Sequence, residues 1–384
     1  MNYKHIGQTS DQAKQPEANN NDSLSRRNFL RNSSTASVGA GLIVTSKTAL
    51  GQEGADKGKK VRCGIIGYGD EGKALRESSM FLKDLVCFPA VSDIWPRNLR
   101  AGVGQISASK QGGGADGSEC NGYEDPAEMI EKEDLDCIIV ATPDFVHHTY
   151  SIMGLEKGLD VYCEKLMSNS IDYARQMVEA QKKTGKLLAI GHQRRSNPRY
   201  LHVKNEIINK RQLLGWITHM SAQWNRSRGG SVPREIPMGK DALSDEILQK
   251  FGYNGGATGM FEFRNWRMYK KFGGGIISDL GAHQIDIFNW LLDEYPKSIF
   301  AQGGTDYYTG EFLNDLLTSE VKEAMEKTKS KKRKAKLEEE LKVVEQVKDG
   351  YEHADNVMAF FEYETKRDKW NTKGGAGETL KTRA

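Results

Sequence analysis

The sequence is poor in several things, and each shortage excludes a class of protein. No run of about 18 or more apolar residues occurs in its 384 residues, so a bilayer-spanning helix is excluded. Its five cysteines (Cys63, Cys87, Cys120, Cys137 and Cys163) are too few for a disulfide scaffold, and their spacings match no zinc pattern. Four of them fall in apolar, strand-like runs, where cysteine acts as a small hydrophobe. Proline is scarce, at nine, and the 40 glycines follow no collagen-like period. Net charge is lacking too. Outside residues 1–51 the basic and acidic residues balance at 49 each. Such a body has no global field to attract phosphates, and no nucleic acid partner is expected. The one basic run, Lys329 to Lys336, precedes Glu338, Glu339 and Glu340 and reads as a solvated helical face. What remains, 38% hydrophobic residues over this length, suits two domains or one large one, with a real core.

The front of the chain carries an address. Ser-Arg26-Arg27-Asn-Phe-Leu-Arg31 precedes a mildly apolar stretch, Thr35 to Thr45, and a small-residue stretch ending at Gly51. This is the layout of a secretory signal, and the paired arginines resemble the twin-arginine (Tat) export signal. Residues 1–51 are read as that signal and 52–59 as a linker. The expected partner is the Tat export machinery, and the expected location is periplasmic or extracellular. Tat export moves folded proteins, so the signal itself predicts a cofactor inserted before export.

A dinucleotide site follows. The apolar run at 60–66 leads into Gly67-Tyr68-Gly69-Asp-Glu-Gly72 and then a helical stretch. This is G-x-G-x-x-G between strand and helix. Gly67 permits the tight turn, Gly69 admits a pyrophosphate and Gly72 allows close packing of the helix, whose N-terminus favours an anion. A second apolar run, Leu85 to Val91, ends at Asp93, 21 residues after Gly72, near the spacing expected of an acid that binds the adenosine ribose. A carboxylate there repels a 2′-phosphate and favours NAD over NADP, although Arg97 is close. Strand-like runs at 136–141, 160–163 and 187–191 alternate with helical stretches, which implies a doubly wound parallel sheet. Ligands bind beyond the carboxyl ends of such strands. Thr142, Pro143, His147, Glu164 and Lys165 fall at or just after those ends.

The pattern changes from Gly215. Trp216 to Trp224 reads as a strand, and 225–264 as an irregular, substrate-covering loop. A glycine run, Gly273 to Gly275, precedes an apolar helix holding Asp279 and His283. Four residues apart, these two share a helical face, and an Asp there can orient an imidazole.

Five motifs together, GYGDEG at 67–72, ATPDFVHH at 141–148, EKL at 164–166, GHQRR at 191–195 and GGGIISDLGAHQID at 273–286, resemble the Gfo/Idh/MocA oxidoreductases, over about residues 60–303. The resemblance implies an α/β fold: an N-terminal Rossmann domain with a doubly wound parallel sheet, then a C-terminal α+β domain with a largely antiparallel sheet. It places Lys165 beside the nicotinamide, polarising the reacting hydroxyl, with His283 taking the proton and Asp279 assisting. Arg194, Trp224, Asn225, Trp266 and Arg267 become candidate substrate contacts, and a homo-oligomer is expected. Leu166 departs from the family's usual proline, so no proline fixes the aim of Lys165. The domain bounds read as 60–187 for the Rossmann domain and 188–365 for the substrate domain, with a charged helical insertion at 316–349 and a polar tail, unlike a strand, at 366–384.

The activity expected is oxidation of a secondary hydroxyl of a sugar or polyol by hydride transfer to a tightly bound NAD or NADP. Two alternatives stand beside it. One is an NAD-dependent glycoside hydrolase using transient oxidation. The other is a non-catalytic NAD- or sugar-binding protein.

Overall fold

The structure is a computed structural model that describes residues 60–109, 119–225, 239–345, 350–366 and 379–384, together with Arg234 and Ile236. The export signal and its linker lie outside the described residues.

Six parallel strands form the first sheet: β1 (Val61–Ile66), β2 (Val86–Ser92), β3 (Asn121–Tyr123), β4 (Cys137–Val140), β5 (Asp160–Glu164) and β6 (Leu188–Gly191). Their order is β3-β2-β1-β4-β5-β6. The chain turns one way from β1 to β2 and the other way to β4, so a crevice opens beyond the ends of β1 and β4. Every residue of β2 is buried, as expected of a strand covered on both faces. The covering helices are α1 (Asp70–Ser79), α2 (Pro96–Ser107), α3 (Pro126–Lys132), α4 (Asp144–Glu156) and α5 (Ile171–Thr184). Punctuation sets their ends. The Asp125 side chain caps α3 ahead of Pro126, and α5 stops at Gly185, whose φ is +67°.

The second half adds α6 (Pro198–His202), α7 (Asp245–Lys250), α8 (Gly256–Arg264), α9 (Ala282–Leu292), α10 (Gly310–Lys327) and α11 (Lys331–Val344). It also has an antiparallel sheet of β7 (Ser298–Gly304), β8 (Asn356–Lys366) and β9 (Thr379–Arg383), in that order. Phe361 and Tyr363 of β8 pack on Phe288 and Leu292 of α9.

Several expectations need correction. β6 belongs to the parallel sheet, pairing with β5, so the Rossmann half runs to 191 and not 187. The tail holds a strand after all. In β9, Thr382 is fully buried while Lys381 and Arg383 pair with Glu362 on β8. That is a period-2 alternation written in polar residues. Conversely, Trp216–Trp224 is no strand. Among the described residues it makes one bridge, His219 to Arg383 at the end of β9. The stretch read as a covering loop contains α7 and α8, with Ser244 capping α7. The insertion is a helical pair as expected, and its basic run is exposed. It is not merely solvated, because its apolar stripe, including Leu317, Val321, Leu337 and Val344, joins a core with Phe261, Trp266 and Phe272.

Trp95, from the Rossmann half, is buried in that same core, and its Nε1 donates to the Asp241 carbonyl at 2.7 Å. One indole thus joins the halves. Trp95→Ala should cost about 3–5 kcal/mol by chemical denaturation. Trp95→Phe, which keeps an aromatic ring and loses the hydrogen bond, should cost about 1 kcal/mol.

Candidate active site

A cleft of about 400 Å³ lies at the crevice between the halves. Its floor is the glycine turn. Gly67 has φ +88°, and a Cβ there would sit 2.7 Å from the Ala141 carbonyl oxygen. A Cβ on Gly72 would sit 2.0 Å from the Gly67 carbonyl oxygen, so α1 rests directly on the turn. Gly69 faces open space. No side chain caps α1, which leaves its first N–H groups free toward the cleft. This cradle fits a dinucleotide pyrophosphate. Two acids crowd it. Asp70 is answered from across the cleft by Arg234 at 2.9 Å. Burial raises the Glu71 carboxyl, while the Lys165 charge works against that.

Asp93 lines the cleft, but its carboxylate is already engaged. Oδ2 accepts from the Tyr68 amide at 2.7 Å and from Asn98 at 3.2 Å, and Oδ1 accepts from the Trp95 amide at 2.8 Å. Burial pushes its pKa up, and the two backbone bonds oppose that. Asp93 therefore also fixes the fingerprint turn against β2. Tyr68 does not line the cleft. It is a buried core residue whose hydroxyl meets Gln105.

The strand ends deliver the reactive groups. Thr142 and Pro143 after β4, and Glu164 and Lys165 at the end of β5, all line the cleft. Burial, then the charge of Glu71, pushes the Glu164 carboxyl up to about 7. The Lys165–Leu166 peptide is cis. Lys165 Nζ donates to the Asp279 carbonyl oxygen at 2.6 Å and to Asp279 Oδ1 at 3.2 Å. Its aim is thus set from the opposite half. Arg267 Nε donates to the other oxygen of Asp279 at 3.1 Å.

This corrects the expected partnership of Asp279 with His283. Two cations compete for the carboxylate, and a neutral imidazole loses. Burial disfavours the charge of Asp279, but Arg267 and Lys165 hold its pKa below the usual carboxylate range. His283 lines the same cleft, buried and stacked on Trp224 with ring centroids 5.3 Å apart. Burial, followed by the charges of Lys165 and Arg194, lowers its pKa to about 4. The ring is therefore neutral near pH 7 and able to accept a proton.

Of the substrate candidates, Trp224, Trp266 and Arg267 line the cleft. Trp266 serves the core as well. Arg194 lies behind, stacked over Trp224 at 4.9 Å. Asn225 bonds to Gln223 and is not on the cleft. His147 is a further correction. It is 1% exposed, sits beneath the strand ends and does not line the cleft. Sequence reasoning missed Arg234, Arg264 and Asn98 as lining residues. For Asn98 a signal existed, since it stands five residues after Asp93 in the first turn of α2.

Two family profiles match the chain. "Oxidoreductase family, NAD-binding Rossmann fold" covers residues 61–192, and "GFO/IDH/MocA C-terminal domain" covers 209–367. The chain is similar to an inositol 2-dehydrogenase of Klebsiella pneumoniae, 31% identical over 62% of this chain and 56% of that protein. It is also similar to a myo-inositol 2-dehydrogenase of Thermotoga maritima, 23% identical over 63% of this chain and 58% of that one. The chain thus spans little more than half the length of these curated relatives. In fold it is similar to an NAD-binding protein from Listeria innocua, with TM-score 0.52 and 18% identity over 85% of this chain and 64% of that one.

His283→Ala should lower kcat by about 10²- to 10⁴-fold in steady-state assays without loosening the dinucleotide. Because His283 takes up a proton only near pH 4, the wild-type acid limit set by this residue should fall there and not near the ordinary 6.5.

Proposed function

The chain belongs to the Gfo/Idh/MocA oxidoreductase family, and on that premise we propose that it oxidises a secondary hydroxyl of a sugar or polyol, with the hydride passing to a tightly bound nicotinamide. One observation carries the reading. Lys165 from the Rossmann half and His283 from the second half face one cleft whose floor is the glycine turn. A nicotinamide bound there supplies the two-electron acceptor. The Lys165 ammonium stabilises negative charge developing on the hydroxyl oxygen. Neutral His283 takes the hydroxyl proton. The C–H bond breaks with its electron pair leaving carbon, the O–H bond loses its proton, and C=O forms. Asp279 keeps the ammonium aimed, and Trp224 holds the imidazole plane.

The inositol dehydrogenases among the relatives support a polyol or sugar. Asp93 and the description of the matching family support NAD over NADP. The Arg26-Arg27 signal supports Tat export to the periplasm or beyond. With no free dinucleotide pool outside the cytoplasm, the hydride returns to the same substrate or passes to a second one. A homo-oligomer belongs to the same proposal, and exposed Phe300, Met358 and Phe360 on one face of the small sheet support it.

The test uses protein purified without added dinucleotide and exposed to a panel of sugars and polyols. The reduced-nicotinamide absorbance should rise with one compound and fall with an acceptor, and Lys165→Ala should abolish both changes. Absence of dinucleotide even after denaturation, in protein that also fails to bind added NAD, contradicts the reading.

A further inference from the structure

One side of the cleft is built from two loops, one after β4 carrying Thr142 and one after β5 carrying Lys165 and Leu166. His147, in α4, lies beneath both. Its Nε2 is 2.7 Å from the Thr142 carbonyl oxygen, and its Nδ1 is 2.5 Å from the Leu166 carbonyl oxygen. A carbonyl oxygen offers only lone pairs. A neutral imidazole has one N–H and one lone pair, so one contact would set lone pair against lone pair. Both contacts are attractive only when both nitrogens carry protons. The distances suit charge-assisted bonds. At 1% exposure, solvent offers the ring no substitute partner.

We propose that His147 is a doubly protonated pin at neutral pH that ties the Thr142 and Leu166 carbonyls together and so positions Lys165 for catalysis. The claim about Lys165 rests on the function proposed above, whereas the claim about the charge of the ring does not. His147 touches neither the cleft nor the reacting atoms, and it acts through the backbone of its neighbours.

The groups around the ring are consistent with a cation. Asp144, on the same helix, is 4% exposed and acts on His147 as counter-charge. From β5 the Cys163 thiol and the Glu164 carboxyl face it, and His148 is its neighbour along α4. Burial alone would lower the pKa of His147. Cys163, Asp144 and the bond to Leu166 outweigh it and raise the pKa to about 9. Burial raises the carboxyls of Asp144 and Glu164, and the His147 charge works against that rise.

The experiment is nitrogen NMR of histidine-labelled full-length protein, which needs no turnover. One ring should show both nitrogens protonated at about pH 8 and release a proton only near 9, against an ordinary 6.5. That signal should be missing from His147→Gln, whose amide can donate to one carbonyl but turns an oxygen toward the other. If the variant does not fold, the wild-type spectrum still decides, and the absence of any ring that stays doubly protonated overturns the proposal. Stability gives a second readout. A histidine whose pKa is raised on folding stabilises fully below its unfolded value, about 6.5, and the contribution is lost as pH rises through about 9. The wild-type melting temperature should fall across that window more steeply than that of His147→Gln, and equal slopes overturn the pin. In turnover, His147→Gln should lose about 10- to 100-fold in kcat with little change in the KM for the polyol. A change confined to KM overturns the positioning role. If wild type shows no turnover on any polyol, the proposed function fails while the NMR result still stands.

Discussion

The contact on which the site depends is the ion pair between Lys165 and Asp279. Lys165 directly follows a strand of the parallel sheet, and Asp279 sits in the π-helical turn, Ile277–Gly281, that runs into α9 on the other half of the molecule. Their side chains are only 13% and 22% exposed. A pair this sheltered is costly to break, since removing one partner leaves a desolvated charge behind. It forms only if the halves are held in register, and the shared core around Trp95 and Trp266 does that. Packing far from the chemistry thus sets the reach of one ammonium group.

The pair also distributes charge. One carboxylate serves two cations, Lys165 and Arg267, with Arg194 close behind Trp224. Burial first, and then the positive charge beside His283, keep that imidazole unprotonated. On the function proposed, the same arrangement that aims the electrophile therefore also prepares the base. On the opposite wall the logic repeats with reversed sign. The acids of the fingerprint turn would repel a pyrophosphate, and Arg234 offsets Asp70 from across the cleft.

Much of this was legible in the sequence, for physical reasons. Strands buried on both faces are written as apolar runs, and glycines with forced roles sit at fixed spacings. The Rossmann half could therefore be read almost element by element, and Thr142, Glu164 and Lys165 could be placed at strand ends. The second half was less legible. β9 alternates Lys381, Thr382 and Arg383, and the buried residue of these three is a threonine. Trp216 to Trp224 looks like a strand but, among the described residues, bridges only to the end of β9. The partner of Asp279 could not be read from a spacing of four, because Lys165 lies 114 residues away and wins through charge. His147 was placed on the cofactor's side by its position after a strand end. Only coordinates show that both of its nitrogens face carbonyl oxygens.

The central claim is that Asp279 holds Lys165 in its catalytic position. The most direct measurement is turnover and NAD affinity of Asp279→Asn, which keeps the shape of the side chain and removes its charge. The account predicts a kcat lower by about 10²-fold with NAD binding preserved. A kcat equal to that of the wild type would contradict it.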